Sequence, residues 1–190
     1  MSLIKDYFKK TKEWKQQKGD KTIVLMQVGA FYEVYGLKDK TTGEITGSDI
    51  EDFSQFCGLN ISDKKICVGK QGVLMSGFRD YVLEKYVNKI VENNYTAVVY
   101  SQDEKAAGTT RSLDGIYSPG TFFNSESNAI TNNSVCIWLQ KHKDQLITGM
   151  TNIDIFTGKS YMFEHQDQFS KHCTSYDELE RFISIYNPSE

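Results

Sequence analysis

The chain has 190 residues, 39% of them hydrophobic and 13% aromatic, with a formal net charge of −3. That is material for one good core or two small ones, and the negative balance argues against an indiscriminate nucleic-acid binder. No apolar run approaches the length of a membrane span, and the N-terminus carries lysines but no apolar h-region, so a soluble intracellular protein is expected.

Residues 2–17 predict an amphipathic helix with Leu3, Ile4, Tyr7, Phe8 and Trp14 on its apolar side. Lys18-Gly19-Asp20 turns the chain into a strand at 22–28, and a second strand follows at 31–35. Residues 36–47, with three glycines among Thr, Lys and Asp, read as a loop. Ser48 and Glu51 have capping-box spacing and predict a helix that Gly58 closes. Short strands are expected at 65–69 and 72–76 around Gly69. A longer helix over about 79–93 follows, with an apolar stripe from Val82 to Val91, and then a β-rich run from Tyr95 to Tyr100. Residues 102–121 turn polar and end in Ser118-Pro119-Gly120-Thr121, the best candidate for a linker. Beyond it strands are predicted at Ser134–Gln140, Leu146–Phe156 and Lys159–Phe163, the last two joined by a tight turn at Thr157-Gly158-Lys159. Ser175 and Glu178 repeat the capping-box spacing before a helix that ends ahead of Pro188. The expected fold class is α/β. A mixed α+β domain spans 1–104, with a small mixed sheet and flanking helices; a linker occupies 105–121, and 122–190 open an α/β domain without completing it.

Charge is uneven along this order. Residues 1–117 are net +1 and residues 118–190 net −4, with a lysine cluster at Lys5, Lys9, Lys10, Lys12, Lys15, Lys18 and Lys21. That cluster is either a solvated helix face or a stripe facing phosphates. Cys57, Cys67, Cys136 and Cys173 form no C-x-x-C and are expected to be free, largely buried thiols. His165, His172 and Cys173 lack the fourth ligand and the paired spacing of a zinc site, so no metal is expected. The sequons at Asn60 and Asn132 carry no weight in an intracellular chain.

The most informative stretch is Met26-Gln27-Val28-Gly29-Ala30-Phe31-Tyr32-Glu33. Side chains of a strand alternate between faces, so Tyr32 and Val34 share one face and Phe31, Glu33 and Tyr35 the other. Burying the second face would hide an ionised carboxylate. Tyr32 and Val34 are therefore expected inside, leaving Phe31 and Glu33 side by side on an accessible surface. A flat apolar ring beside a hydrogen-bonding group can wedge into something flat and read its edge.

Six segments, in order, resemble the N-terminal part of MutS-family DNA mismatch recognition proteins. Gln27-Val28-Gly29-Ala30-Phe31-Tyr32-Glu33 is similar to that family's Q-M-G-D-F-Y-E, and Met75-Ser76-Gly77 with Tyr86, Lys89 and Val91 to its M-A-G segment and the helix after it. Gln102 stands where the family has E-Q, and Ser118-Pro119-Gly120-Thr121 resembles T-P-G-T. Asn152-Ile153-Asp154-Ile155-Phe156-Thr157-Gly158 looks like L-D-I-S-T-G, and Asn187-Pro188-Ser189-Glu190 like N-P-x-E. The departures are Ala30 for the family's Asp, Phe78-Arg79 where a proline-containing turn is usual, and an atypical loop at 36–47, which mark a divergent branch.

The resemblance implies a mismatch-recognition domain followed by the first part of an RNase H-like connector domain. It implies that Phe31 enters the minor groove of duplex DNA and stacks on a mispaired base while Glu33 hydrogen-bonds that base. A mispair has already lost stacking and pairing, so the same ring inserts there at less cost than in an intact duplex, where unstacking a step costs roughly a few kcal/mol. Glu33 would penalise DNA that offers it no base partner. Lys70 and Arg79, near the second segment, are read equally as phosphate contacts or as solvated charges.

A P-loop is missing: Gly158-Lys159-Ser160 has its tail, but Ile153 occupies the earlier glycine position. The chain is therefore expected to be neither an ATPase nor an enzyme, with no cofactor of its own, ATP and Mg being expected only in a full-length family member. The expected partner is mismatched double-stranded DNA, alongside self-association or the remaining domains of a longer parent, since half a connector leaves apolar surface or an open sheet edge. Two other readings stay open. One is an RNase H-like nuclease centred on Asp154, with Asp177, Glu178 and Glu180 as further carboxylates, though those three also suit an ordinary helix N-terminus. The other is an interaction module that has kept the fold and lost the DNA.

Overall fold

A computed structural model describes residues 3–103, 110–122 and 132–190. The chain divides into two compact units, 1–124 and 125–190. Among the described residues no helix is long and apolar enough to cross a membrane.

In the first unit, helix α1 (Leu3–Lys18) leads into strands β1 (Thr22–Val28) and β2 (Phe31–Asp39). A two-residue strand, β3 (Ile45–Thr46), pairs back onto the far end of β2, so part of the segment read as a loop belongs to the sheet. Helix α2 (Ile50–Cys57), strands β4 (Ser62–Val68) and β5 (Gln71–Arg79), a single 3₁₀ turn at Asp80–Val82, helix α3 (Leu83–Glu92) and strand β6 (Thr96–Gln102) follow. Strand β7 (Arg111–Tyr117) lies inside the stretch read as a linker and pairs with β6 from Ala97–Tyr117 to Gln102–Arg111. The main strand order is β4-β5-β2-β1-β6-β7, with β1 and β6 parallel and the other neighbours antiparallel.

Both faces of this sheet are covered. On one, the Tyr7 ring of α1 meets Tyr35 edge-on at 4.9 Å, and Trp14 Nε1–H donates to the Tyr100 hydroxyl. On the other, Phe78 packs between Tyr32, Phe53 of α2 and Tyr86 of α3, the last stacked at 4.2 Å. Central strands therefore lose the alternation of a half-exposed sheet: Val24, Leu25, Met26, Val34 and Tyr35 are all fully buried. Close strand approach is built in at Gly77, where a Cβ would stand 2.5 Å from the Tyr32 carbonyl oxygen.

The second unit is an antiparallel meander, β8 (Asn133–His142), β9 (Gln145–Asp154) and β10 (Ser160–Gln168), followed by helix α4 (Asp177–Tyr186). Here alternation is clean. Leu146, Thr148, Met150, Asn152 and Asp154 of β9 are buried, and Phe182 and Tyr186 of α4 pack on Phe163 and Tyr161 of the same face. The opposite face carries exposed Trp138, Ile153 and Met162. The architecture of both units is of the mixed α/β class.

Neither capping box forms. Ser48 hydroxyl donates to the Tyr35 carbonyl instead, and α2 starts at Ile50; Ser175 hydroxyl donates to the Ser170 carbonyl, and α4 starts at Asp177. Gly58 does close α2 in the left-handed conformation, its N–H donating to the Gln55 carbonyl. Of the cysteines, Cys57 is buried, which pushes its thiol up to about 12, whereas Cys67 and Cys136 are free and exposed, against the expectation of burial.

Candidate nucleic-acid interface

The hairpin of β1 and β2 closes at Gly29-Ala30, with Val28 opposite Phe31. Gly29 has φ +59° and Ala30 does not share the positive φ, which is the φ pattern of a type II′ turn. The second position of such a turn takes any L-residue without strain, so alanine fits there. Side chains of neighbouring strands brace the turn. Gln102 accepts from Gly29 N–H at 3.1 Å, Gln27 accepts from Gln102 N–H at 2.8 Å, and Arg111 Nε–H donates to the Gln27 carbonyl at 2.5 Å. From the other side, Asp80 N–H donates to the Ala30 carbonyl at 3.0 Å.

Phe31, first residue of β2, projects at this braced end with 41% of its surface exposed. Arg79 is its cross-strand partner, and the guanidinium carbon sits 5.3 Å from the Phe31 ring centroid, within cation–π range. Tyr81, two residues past Arg79, is 78% exposed. An accessible ring, a guanidinium on its face and a second accessible aromatic thus gather around one strand end. Gln27, Gln102, Arg111 and Tyr81 were not singled out as site residues from the sequence. The pairing of Gln27 with Gln102 depends on the parallel β1–β6 register, which periodicity does not reveal.

Glu33 is placed differently from the expectation. It is 9% exposed, not presented beside Phe31 on an open surface. Neither face of β2 is open, because α1 packs on the Glu33–Tyr35 face and α2 and α3 on the other. The carboxylate is compensated instead: Lys64 ammonium and Tyr35 hydroxyl both donate to Glu33 Oε2. Burial, and then the bond to Glu33, hold the Tyr35 phenol well above its usual range, so it stays a donor. Lys64 also donates to the Tyr35 hydroxyl at 3.2 Å, and lies 3.5 Å from Met75 Sδ.

Lys70 is exposed at the Gly69-Lys70 tip of the β4–β5 hairpin, beyond the Asp39–Gln71 pair, whereas Arg79 and Phe31 pair at the other end of the same ladder. Eight extended residues, roughly 26 Å, separate the two ends. Phe31 and Arg79 are brought together; Lys70 is not brought to them. Part of the lysine cluster is engaged within the fold: Lys15 with Asp49 at 2.7 Å, Lys9 with Glu13 at 3.8 Å, and Lys10 over the Tyr100 ring at 4.4 Å.

Asp154, the candidate nuclease carboxylate, organises a turn. Its Oδ2 accepts from the Thr157 hydroxyl at 2.6 Å, and Oδ1 from Asn132 N–H at 3.1 Å and Phe156 N–H at 3.2 Å. These bonds, the Thr157 hydroxyl first, lower its pKa below the ordinary 3.8. Among the described residues no group of three or more His, Cys, Asp or Glu side chains is arranged to hold a metal ion.

The family model for MutS domain I matches residues 5–126. The chain belongs to the MutS family. Over 97% of its length it is 25% identical to a protein of Acanthamoeba polyphaga mimivirus named as a DNA mismatch repair protein mutS homolog, covering 17% of that protein. It is 26% identical to the DNA mismatch repair protein MutS of Caldanaerobacter subterraneus over 99% of the chain and 19% of the relative, and 27% identical to the MSH3 mismatch repair protein of Candida albicans over 64% of the chain and 12% of the relative. The chain thus spans less than a fifth of the length of each of these MutS relatives. The MutS domain I match covers nearly all of the first unit, and Phe31, Glu33, Arg79 and the bracing glutamines all lie within it.

Proposed function

We propose that this MutS-family chain is the part of a DNA mismatch repair protein that recognises mispaired or unpaired bases in duplex DNA, with Phe31 as the wedge. The carrying observation is the presentation of Phe31. Its ring is accessible at the head of a hairpin whose following residues are buried, and the turn behind it is fixed by Gln27, Gln102 and Arg111. A wedge must not yield when pushed between base pairs, and it must bring no polar group that needs desolvating; a braced phenylalanine meets both conditions. Arg79, on the ring face, would reach phosphates as the ring enters, and Tyr81 stands ready to contact the same groove. Discrimination comes from DNA deformability, since an intact step resists unstacking more than a mispaired one. Glu33 joins as a base contact only when its carboxylate is released from Lys64. Residues 125–190 are read as the opening of the connector domain, with no catalytic role for Asp154.

The test is equilibrium binding of the chain and of Phe31→Ala to one duplex in matched and mispaired form, across a salt series. Phe31→Ala is expected to abolish the preference for the mispaired duplex and leave the salt slope unchanged, because the ring neutralises no phosphate. An unaltered preference in Phe31→Ala would end the wedge reading. Loss of the salt slope in Arg79→Ala by about one unit would place its guanidinium on a phosphate.

A further inference from the structure

The ladder between β4 and β5 is broken at one place. Asp63 pairs with Leu74 and Cys67 with Gly72, so Lys64, Lys65 and Ile66 together oppose the single residue Val73. Lys65 takes a positive φ of 57° there, and its N–H donates to the Asp63 carboxylate at 2.7 Å. A bulge re-aims the side chains around it. This one sends Lys64 across β5, past Met75, to Glu33 on β2, one strand beyond its own neighbour. The ammonium also lies 4.8 Å from the Tyr35 ring centroid, so an aromatic face supports it while Glu33 and the Tyr35 hydroxyl take its hydrogen bonds. Both side chains are largely withdrawn from solvent, 22% exposed for Lys64 and 12% for Glu33.

We propose that Lys64 is a positioning residue that sets how strongly Glu33 discriminates between matched and mispaired DNA, by holding the carboxylate neutralised and out of reach of the bases. This rests on the DNA-interface reading above. An unpaired carboxylate roughly 7 Å along the strand from the wedge repels the negative potential of any duplex and recovers that loss only where a base offers it an N–H. With Lys64 in place the repulsion is muted and matched DNA is tolerated. Without it, Glu33 acts at full charge.

Three variants and one double variant test this with the 190-residue chain and a duplex with or without a single unpaired thymine. Lys64→Met is expected to raise the ratio of mispaired to matched affinity about two- to fivefold, the range of a solvent-screened charge pair. Lys64→Arg keeps the charge and is expected to hold the wild-type ratio. In Lys64→Met combined with Glu33→Gln the rise is expected to vanish. Equal losses on both duplexes in Lys64→Met would make Lys64 an ordinary phosphate contact and overturn the proposal, as would a rise that persists in the double variant. A DNA-free readout separates this from failure of the interface reading. Acylation of lysines by an amine-reactive ester, followed by mass spectrometry, is expected to label Lys64 more slowly than exposed Lys65, and faster in Glu33→Gln. Labelling of Lys64 that is indifferent to Glu33→Gln overturns the proposal whatever the DNA data show. Protection of Lys64, together with a wild-type chain blind to the unpaired thymine, would instead bring down the interface reading.

Discussion

The two units each withdraw a carboxylate from solvent, and they do so by opposite means. Asp154 is answered locally, by backbone N–H groups and a hydroxyl within its own turn and from Asn132. Glu33 is answered in part by Tyr35, two residues along its own strand, but its charge is met from a distance, by Lys64 in a bulge two strands away. The sheets around them differ in the same sense: that of the first unit is covered on both faces, that of the second on one. A locally satisfied carboxylate belongs to its turn and is silent elsewhere. A carboxylate held by a remote cation depends on that cation for its neutralisation, and a change at the distant position alters it.

The contrast can be broken first at the close approach of β5 to β2. Gly77→Ala sets a Cβ against the Tyr32 carbonyl, an obstacle of backbone that cannot rotate away. A loss of about 3 kcal/mol is expected, at the top of the range for overpacking, read as a lowered midpoint in denaturant. A smaller effect is expected from a double-mutant cycle on Glu33→Gln and Lys64→Met. Their coupling should be about 1–2 kcal/mol, below that of a fully buried pair because both side chains keep some solvent contact; a coupling near zero would put Glu33 in the same class as a surface charge. The smallest effect is confined to acid. Asp154 titrates below its ordinary value in the fold, so its contribution is whole at neutral pH, fades as pH falls through about 4, and is gone below the folded value. Asp154→Asn does not titrate, and its melting temperature should therefore drop less than that of the wild type between about pH 5 and about pH 2. A steeper drop in the variant would contradict the assignment.

How much of this was legible beforehand follows the range of the interactions. Helix α1, strand β1, the close of α2 at Gly58 and the turn at Thr157-Gly158 rest on neighbours in sequence, and local pattern is enough to place them. The capping serines show the limit of such reading. Ser48 and Ser175 have the right spacing, but Ser48 finds a better acceptor in the carbonyl of Tyr35 and Ser175 in that of Ser170. Strand β7 hid in a polar segment because it sits at an edge, where polar residues suffice. At the candidate site, Phe31 and Arg79 were legible as residues, yet their stacking and their distance from Lys70 follow only from the β2–β5 register. The Glu33–Lys64 pair spans 31 positions and passes over an intervening strand through a bulge, and no local pattern encodes it.

The bracing of the hairpin end has a consequence for the order in which the molecule is made. Gln27 and Gln102 are 75 positions apart, joined through a parallel pair that only the whole length between them can close. A nascent chain emerging from the ribosome can fold the β1–β2 hairpin early and gain the Asp80 contact to its turn next, but the Gln102 brace is missing until residue 102 has been synthesised and β6 has docked. The strand end that presents Phe31 is thus among the last parts of its domain to be fully braced.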